Sequence, residues 1–186
     1  IRLARQAIDE SGKTGQCAVA FSLSGDIDKA YQAGTLELLA RVFAKDPPDL
    51  ILVETLSLVP ETLEFPGIES LLETGLPVWL SYRRCRQGVC GVYGQHWGGP
   101  EGDLFGRAAQ KLESLGIQAL LINCLPITHV PGALPWLRDF TDLPLGVYPN
   151  LGHYLDPDWK FDDSVSPDNY AELALGWREE QCAQIV

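Results

Sequence analysis

Short apolar runs recur along the chain and are separated by segments whose apolar residues repeat at helical spacing. The runs are typical of strands buried in a parallel sheet and begin near six positions: Cys17, Asp49, Leu76, Ile117, Leu143 and Ala183. The intervening spacing predicts helices over residues 1–8, 31–44, 61–73, 104–115, 131–140 and 167–180. The last of these helices is predicted to be capped by Ser166. This alternation of strand and helix predicts an α/β fold.

Successive strand–helix units in one domain leave two main architectures, a doubly wound open sheet and a (β/α)8 barrel. The loop over residues 22–27 lacks the glycine fingerprint that a dinucleotide-binding doubly wound sheet carries after an early strand. Polar residues instead recur where successive strands end: Ser22, Glu54, Ser81, Asn123 and Asn150. Because the catalytic face of a barrel lies at the carboxyl ends of its strands, this recurrence favours the barrel.

The extent of the pattern predicts a partial barrel. The chain opens inside a helical pattern and ends at Val186 inside a strand pattern, so we expect about six parallel βα units. No linker or low-complexity segment divides the chain, which predicts a single domain over residues 1–186 that lacks the first strands and the end of the last. Two stretches outside the pattern, residues 83–102 and 156–166, are predicted to be loops.

Composition narrows the classes of function. A hydrophobic content of 46% and a charged content of 21% are typical of a soluble globular domain. The formal net charge of −11 argues against a nucleic-acid groove, and no apolar run reaches the roughly 20 residues of a membrane helix. We therefore expect small-molecule partners, with no nucleic acid and no membrane. Five scattered cysteines form a poor disulfide framework and predict a reducing, cytoplasmic location.

Several strand ends carry residues that could do chemistry. The strand over residues 117–122 ends on Asn123 and Cys124. An isolated cysteine is most often an inert core residue, and Asn123 could orient Cys124 or an adjacent loop by hydrogen bonding or be a simple hydrogen-bonded amide. Glu54 ends a strand of aliphatic residues, where a carboxylate is costly unless it binds a ligand or forms a structural ion pair. Asn150 lies in a Pro-Asn-x-Gly turn, where asparagine often serves the turn alone.

Two further groups of residues have weaker patterns. Cys85, Cys90 and His96 lie within the predicted loop over residues 83–102, but their spacing matches no common zinc pattern, and free thiols are the more common alternative. Lys160 is the one lysine near a predicted strand-end loop, and it lies among acidic residues. A Schiff-base lysine of an aldolase or decarboxylase barrel is therefore poorly supported.

Four segments resemble the homocysteine S-methyltransferase family in their order and spacing. They are DLILVET (49–55), LPVWLSY (76–82), LINC (121–124) and VYPNLG (147–152). The likeness covers nearly the whole chain, and the Asn-Cys strand end is its most specific part. It implies a methyltransferase barrel that transfers a methyl group from a small donor to the thiol of homocysteine, giving methionine. The transfer would be a direct displacement with no covalent intermediate on the protein.

The resemblance also implies a zinc site held by three thiolates, one of which maps onto Cys124. The other two form a Gly-Gly-Cys-Cys motif that commonly follows a segment like residues 183–186, so we expect them just beyond Val186, and the chain alone should be inactive. Thiolates suit zinc, and catalytic zinc sites keep one position open for substrate. In such an enzyme Glu54 would bind the amino group of homocysteine. Substrate binding is thus assigned to four residues: Ser22, Glu54, Asn123 and Asn150.

The sequence leaves the methyl donor and two other functions open. Betaine or a sulfonium donor needs aromatic faces for its cation. Five aromatic residues are candidates and favour a small cationic donor over a folate: Trp79, Tyr82, Trp97, Tyr148 and Trp159. The alternatives are a non-catalytic binding or remnant module of the same barrel, or another (β/α)8 enzyme such as an aldolase or decarboxylase.

Overall fold

The computed structural model describes residues 1–24, 35–56, 59–60, 62–83, 100–155, 158–161 and 165–186. Its helices are α1 (Arg2–Glu10), α2 (Thr35–Phe43), α3 (Pro66–Leu72), α4 (Pro100–Leu115), α5 (Ala133–Arg138) and α6 (Pro167–Glu180). Its strands are β1 (Ala20–Ser24), β2 (Leu50–Leu56), β3 (Val78–Arg83), β4 (Ala119–Pro126), β5 (Leu145–Asn150), β6 (His153–Leu155) and β7 (Asp158–Lys160). Within these residues, no helix combines the length and the hydropathy needed to cross a bilayer.

The first five strands form one sheet in which every neighbouring pair is parallel and the spatial order follows the chain order. A doubly wound sheet reverses its strand order partway, so the observed order fits consecutive units of a (β/α)8 barrel instead. A sixth neighbour begins at Ile185, which forms a parallel bridge with Gly146. The Val147 amide donates to the Ile185 carbonyl at 3.0 Å. The predicted partial α/β barrel is confirmed, with five strands and this bridge.

Helices α2 to α6 pack against one face of the sheet. Most strand residues of the hydrophobic core alternate along their strands: Leu23, Ile51, Val53, Val78, Leu80, Tyr82, Leu120, Ile122, Leu145 and Val147. Leu56 and Leu125, near the carboxyl ends of β2 and β4, also belong to this core but fall out of the alternation. Helix residues complete this core, among them Phe43, Ile68, Leu71, Phe105, Leu112, Leu137 and Trp177. Because successive side chains of a strand point to opposite faces, the other set forms a separate inner face, as inside a barrel. The inner face carries Ser22, Leu52, Trp79, Ser81, Leu121, Asn123, Gly146 and Tyr148.

Prolines set the starts of two helices. The Ser166 side chain accepts a hydrogen bond from the Asn169 amide at 3.2 Å, and Pro167 occupies the first turn of α6, as predicted. The segment predicted to be helical over residues 61–73, with a bend or restart at Pro66, begins as a helix only at Pro66, because the fixed φ and missing N–H of proline suit the first helical position.

The prediction of a loop over residues 156–166 is wrong in part. β7 pairs with β6 as an antiparallel two-stranded ribbon, with Tyr154 opposite Trp159. Strands of three residues are too short to display the period-two pattern on which strand prediction depends. The other predicted loop, residues 83–102, lies mostly outside the described residues; its two ends belong to β3 and α4.

Candidate active site

Two strands shift their register near their carboxyl ends. The pairing of β2 with β3 shifts between Val53 and Leu56, and the pairing of β4 with β5 shifts between Asn123 and Pro126. Such a shift is the signature of a β-bulge, which inserts one extra residue and re-aims the side chains that follow. The bulges lie in the two strands that carry the predicted carboxylate and the predicted thiol.

Each bulge contains a residue with a left-handed backbone, Thr55 at φ 65° and Cys124 at φ 52°. This conformation costs about 1–3 kcal/mol for a residue other than glycine and is rare for a β-branched side chain such as threonine. Strict alternation would place Cys124 on the helix-covered face together with Ile122. The bulge instead keeps Asn123 and Cys124 on the same side, at the carboxyl end of the inner face. We call this end of the inner face the mouth.

Asn123 is the centre of a hydrogen-bond network at the mouth. Its side chain is 2% exposed, and its carbonyl oxygen accepts a hydrogen bond from the Ser81 hydroxyl at 2.9 Å. Its amide nitrogen donates to the Thr55 hydroxyl at 3.1 Å and to the Cys124 sulfur at 3.3 Å. One amide therefore connects β2, β3 and β4, and it fixes the position of the thiol.

Glu54 is held by two neutral donors. The Ser22 hydroxyl donates to one carboxylate oxygen, and the Tyr148 hydroxyl donates to the other at 3.2 Å. Burial raises the pKa of Tyr148, and the adjacent carboxylate raises it further, so the phenol stays protonated and remains a donor. Tyr148 also interacts with the Ser81 hydroxyl, which joins the carboxylate to the Asn123 network.

The electrostatics of Cys124 favour the neutral thiol. Burial raises the pKa of the thiol, and the Glu54 carboxylate acts in the same direction. The Arg83 guanidinium and a hydrogen bond with Thr55 act in the opposite direction but do not outweigh burial. Arg83 ends β3 directly opposite Asn123 in the register, and the Asn123 side chain donates to the Cys124 sulfur.

The structure joins four of the five predicted site residues in two hydrogen-bonded pairs, Ser22 with Glu54 and Asn123 with Cys124. Tyr148 and Ser81 connect the two pairs. Asn150, the fifth, ends β5 opposite Pro126, two residues beyond Tyr148. Sequence reasoning missed Thr55 and Arg83 as site residues. It noted Ser81 only as a polar strand end and Tyr148 only as an aromatic face. Thr55 and Arg83 each follow a predicted strand directly, so the strand-end rule that found Glu54 could also have found them.

The predicted aromatic donor site is partly corrected. Tyr82 faces the helices, where it is fully buried with its ring 5.3 Å from that of Phe105, so it cannot line the mouth. Trp79 lies half-buried on the inner face, and Tyr148 lies at the mouth. Trp97 and the side chain of Trp159 lie outside the described part of the chain. The same is true of three other residues considered above: Cys85, Cys90 and His96.

The mouth offers a metal one thiol. Cys124 is half-buried there, whereas Cys17 and Cys182 are exposed. The described residues contain no group of three His, Cys, Asp or Glu side chains that could hold a metal ion. A soft, partly buried thiol suits zinc, so Cys124 fits the role of one zinc ligand. A three-thiolate site would need two more donors from outside the described residues.

The strand order and the polar mouth define an α/β-barrel protein with a candidate active site at the carboxyl ends of its strands, where a thiol and a carboxylate share one network. The family model described as homocysteine S-methyltransferase matches residues 1–186. The chain belongs to the homocysteine S-methyltransferase family, which confirms the resemblance found in its sequence.

Individual relatives agree with this assignment. Homocysteine S-methyltransferase 3 of Zea mays is 30% identical over 167 residues, which cover 83% of this chain and 46% of that protein. The metallated form of the homocysteine methyltransferase MmuM from Escherichia coli is 25% identical with a TM-score of 0.50, covering 81% of this chain and 55% of that one. Its oxidised form shares the fold with a TM-score of 0.57 at 22% identity, covering 99% and 61%. The chain thus spans less than half the length of the maize relative.

Proposed function

We propose that the protein containing this chain transfers a methyl group from a small donor to the thiol of homocysteine, giving methionine. Family membership supports the reaction class. One structural observation carries the assignment to this site: the Glu54 carboxylate and the Cys124 thiol, from different strands, meet at one mouth and share a network through Tyr148 and Asn123. Homocysteine carries an ammonium group, which a carboxylate would bind, and a thiol, which a metal–thiolate site would bind.

Glu54 is the proposed partner of the substrate ammonium group. Both of its oxygens accept hydrogen bonds from hydroxyl groups, of Ser22 and Tyr148, which orient the carboxylate without neutralising its charge. The described residues show no salt bridge to Glu54, so this negative charge is available to a cationic group of a ligand. Asn150, at the end of β5 and two residues beyond Tyr148, is the proposed additional substrate contact.

Cys124 is the proposed zinc ligand of this chain, with two further cysteines expected beyond Val186. Zinc would supply Lewis acidity that stabilises the homocysteine thiolate, which is the nucleophile, at neutral pH. Asn123 holds the Cys124 sulfur on the mouth side of β4 through the hydrogen bond at 3.3 Å. The remaining mouth residues bind and orient the substrate, and no protein nucleophile takes part in the reaction.

A small cationic methyl donor is the proposed second substrate. The half-buried Trp79 and the mouth residue Tyr148 offer aromatic faces on the side of the sheet where homocysteine would bind. A folate donor has no such cation and would not depend on these rings.

The proposal is tested with the full-length protein by incubating homocysteine with betaine, S-methylmethionine or methyltetrahydrofolate and measuring methionine by mass spectrometry. We expect methionine with a cationic donor. Glu54→Gln should lower kcat/KM by about tenfold to a hundredfold, because a hydrogen bond to a charged group is lost. Glu172→Gln, an exposed carboxylate on α6, is the matched control and should keep wild-type activity.

Two results would contradict parts of the proposal. Activity with methyltetrahydrofolate alone would overturn the cationic donor. No methionine from any donor, with zinc-replete and folded protein, would overturn the reaction itself and favour a non-catalytic binding module.

A further inference from the structure

Arg83 is a cation at the mouth whose side chain the reaction described so far does not use. It ends β3 on the inner face, directly opposite Asn123 in the register, and Asn123 in turn donates to the Cys124 sulfur. Its Nε is buried and has no hydrogen-bond partner among the described residues. Leaving a buried donor unsatisfied is unfavourable, so this donor fits a group with acceptor oxygens.

Glu54 carries the opposite charge on the other side of the same thiol. Tyr148, which donates to Glu54, and Arg83 are the register partners of Asn123 on either side, and Asn123 donates to the Cys124 sulfur, so both charges lie around the residue that holds the thiol. They nevertheless do not neutralise each other, because the salt bridges of the described residues comprise only the pair between Arg5 and Asp49. The mouth therefore presents a separated anion and cation around one thiol.

We propose that Arg83 binds the α-carboxylate of an amino-acid substrate while Glu54 binds its α-ammonium group, which directs the substrate thiol towards Cys124. The inference rests on the proposed function and adds the residue that recognises the carboxylate. A guanidinium suits this role because its planar N–H groups match the two oxygens of a carboxylate. Arg83 would then set the preference for α-amino acids over simple aminothiols.

A competing role for Arg83 is to offset the negative charge of the metal thiolates. The two roles differ in what they predict. Charge compensation at the metal would affect zinc binding and every thiol substrate equally. Recognition of a carboxylate would affect only substrates that carry one.

The experiment compares homocysteine with 3-aminopropane-1-thiol, which keeps the amine and the thiol but lacks the carboxylate. The full-length zinc-loaded protein is used as wild type, Arg83→Gln and Arg83→Lys, with Arg107→Gln on the exposed side of α4 as the matched control. Kd is measured by calorimetry without a methyl donor, KM and kcat by methyl transfer, and zinc content by elemental analysis.

We expect wild type and Arg107→Gln to prefer homocysteine by about tenfold to a hundredfold, the range of a charge-assisted hydrogen-bond pair. Arg83→Gln should lose most of this preference through KM and Kd, with kcat and zinc content nearly unchanged. Arg83→Lys should keep an intermediate preference, because it retains the charge without the planar fork.

The inference is overturned if wild type does not discriminate between the two thiols, if Arg83→Gln weakens both equally, or if Arg83→Gln loses its zinc. Binding that depends on Arg83 in a protein without methyl transfer would support the inference while contradicting the proposed function. If the protein transfers methyl groups and Arg83→Gln keeps the full preference for homocysteine, the proposed function is supported and the inference is contradicted.

Discussion

The two faces of the sheet are built by the same strands but follow different physical rules. On the helix-covered face, residues such as Ile122 and Val147 are 0% exposed and alternate regularly along their strands. At the mouth, Ser81 and Asn123 are just as buried, at 0% and 2%, although both are polar. Burying a polar group is unfavourable unless it is hydrogen-bonded, and the bond of 2.9 Å between these two side chains meets that condition.

The contrast extends to the backbone. Over most of their length the strands keep a period of two, whereas β2 and β4 break it near their carboxyl ends with left-handed residues at Thr55 and Cys124. Beyond these bulges Leu56 and Leu125 belong again to the helix-covered core. Regular alternation gives apolar burial, which is the dominant stabilising term. The bulges give up regular pairing and place consecutive polar side chains on one side. The strained backbone at the mouth thus lowers local stability but places the polar side chains of the candidate site together, as strained functional sites often do.

Two adjacent residues of β4, Ile122 and Asn123, give the largest expected difference between the two faces. Ile122→Ala should destabilise the full-length protein by about 2–5 kcal/mol, because it removes a fully buried side chain from the helix-covered face. Asn123→Ala should cost only about 1–3 kcal/mol but should weaken zinc binding, because Ser81 and Cys124 lose their shared partner. Denaturant unfolding and zinc titration measure the two effects. Equal zinc affinity in the folded forms of both variants would contradict the proposal that the mouth supports zinc binding while the helix-covered face supports stability.

Gly146 tests the closeness of packing on the inner face beside β5. A Cβ added there would lie 2.8 Å from the Ile185 Cβ and 2.9 Å from the Leu121 Cδ2, closer than real Cβ contacts. Gly146→Ala should therefore destabilise the protein by about 1–3 kcal/mol and raise hydrogen exchange at the Val147 amide, whose acceptor is the Ile185 carbonyl. Gly176→Ala on α6, where a Cβ meets nothing within 4 Å, is the control and should not destabilise. An unchanged exchange rate at Val147 in Gly146→Ala would contradict the close packing.

Thr55 separates backbone strain from side-chain function. Thr55→Gly should change stability by less than about 1 kcal/mol, because relief of left-handed strain offsets the lost hydrogen bond to Asn123. Thr55→Val should cost about 1–3 kcal/mol, because it keeps the β-branched strain and removes the hydroxyl. Both are measured by denaturant unfolding. A Thr55→Gly variant less stable than Thr55→Val would show that the bulge carries no strain.

Asp49 gives the smallest expected effect, at the opposite end of the strands. A hydrogen bond from the Val19 amide at 2.6 Å, and then the Arg5 guanidinium, lower the pKa of Asp49 below 3.8 in the folded state. The resulting stabilisation is complete above the unfolded pKa and is lost as the pH falls through the lowered folded value. Asp49→Asn should therefore lower Tm slightly at pH 7 and less at pH 3. An equal difference at both pH values would contradict this assignment.

The sequence predicts the helix-covered face well because that face depends on apolar periodicity alone. The five strands of the main sheet follow from continuous apolar runs, whereas the Ser166 start of α6 follows from its capping side chain and the proline after it. The short ribbon of β6 and β7 is not predicted, because its strands are too brief to show a period. Tyr82 was assigned to the wrong face, since a polar hydroxyl on an aromatic ring does not tell which side of a strand is buried.

The mouth was predictable only in part. Polar strand ends identified Ser22, Glu54, Asn123 and Cys124, but the contacts among them depend on the two bulges. A bulge is a local departure from the period of two, and neither Thr nor Cys is a residue type that signals a left-handed backbone. Its presence and its effect on Cys124 follow from the three-dimensional pairing.

The most direct test of the account is the zinc content of the full-length Cys124→Ser variant, with Cys17→Ser and Cys182→Ser as controls at exposed thiols. Serine is close to cysteine in volume but is a far poorer ligand for zinc. We predict that Cys124→Ser stays folded, loses most of its zinc and loses nearly all homocysteine methylation, while both controls keep zinc and activity. A folded Cys124→Ser variant that keeps its zinc and its activity would make Cys124 a core residue and would contradict the proposed site.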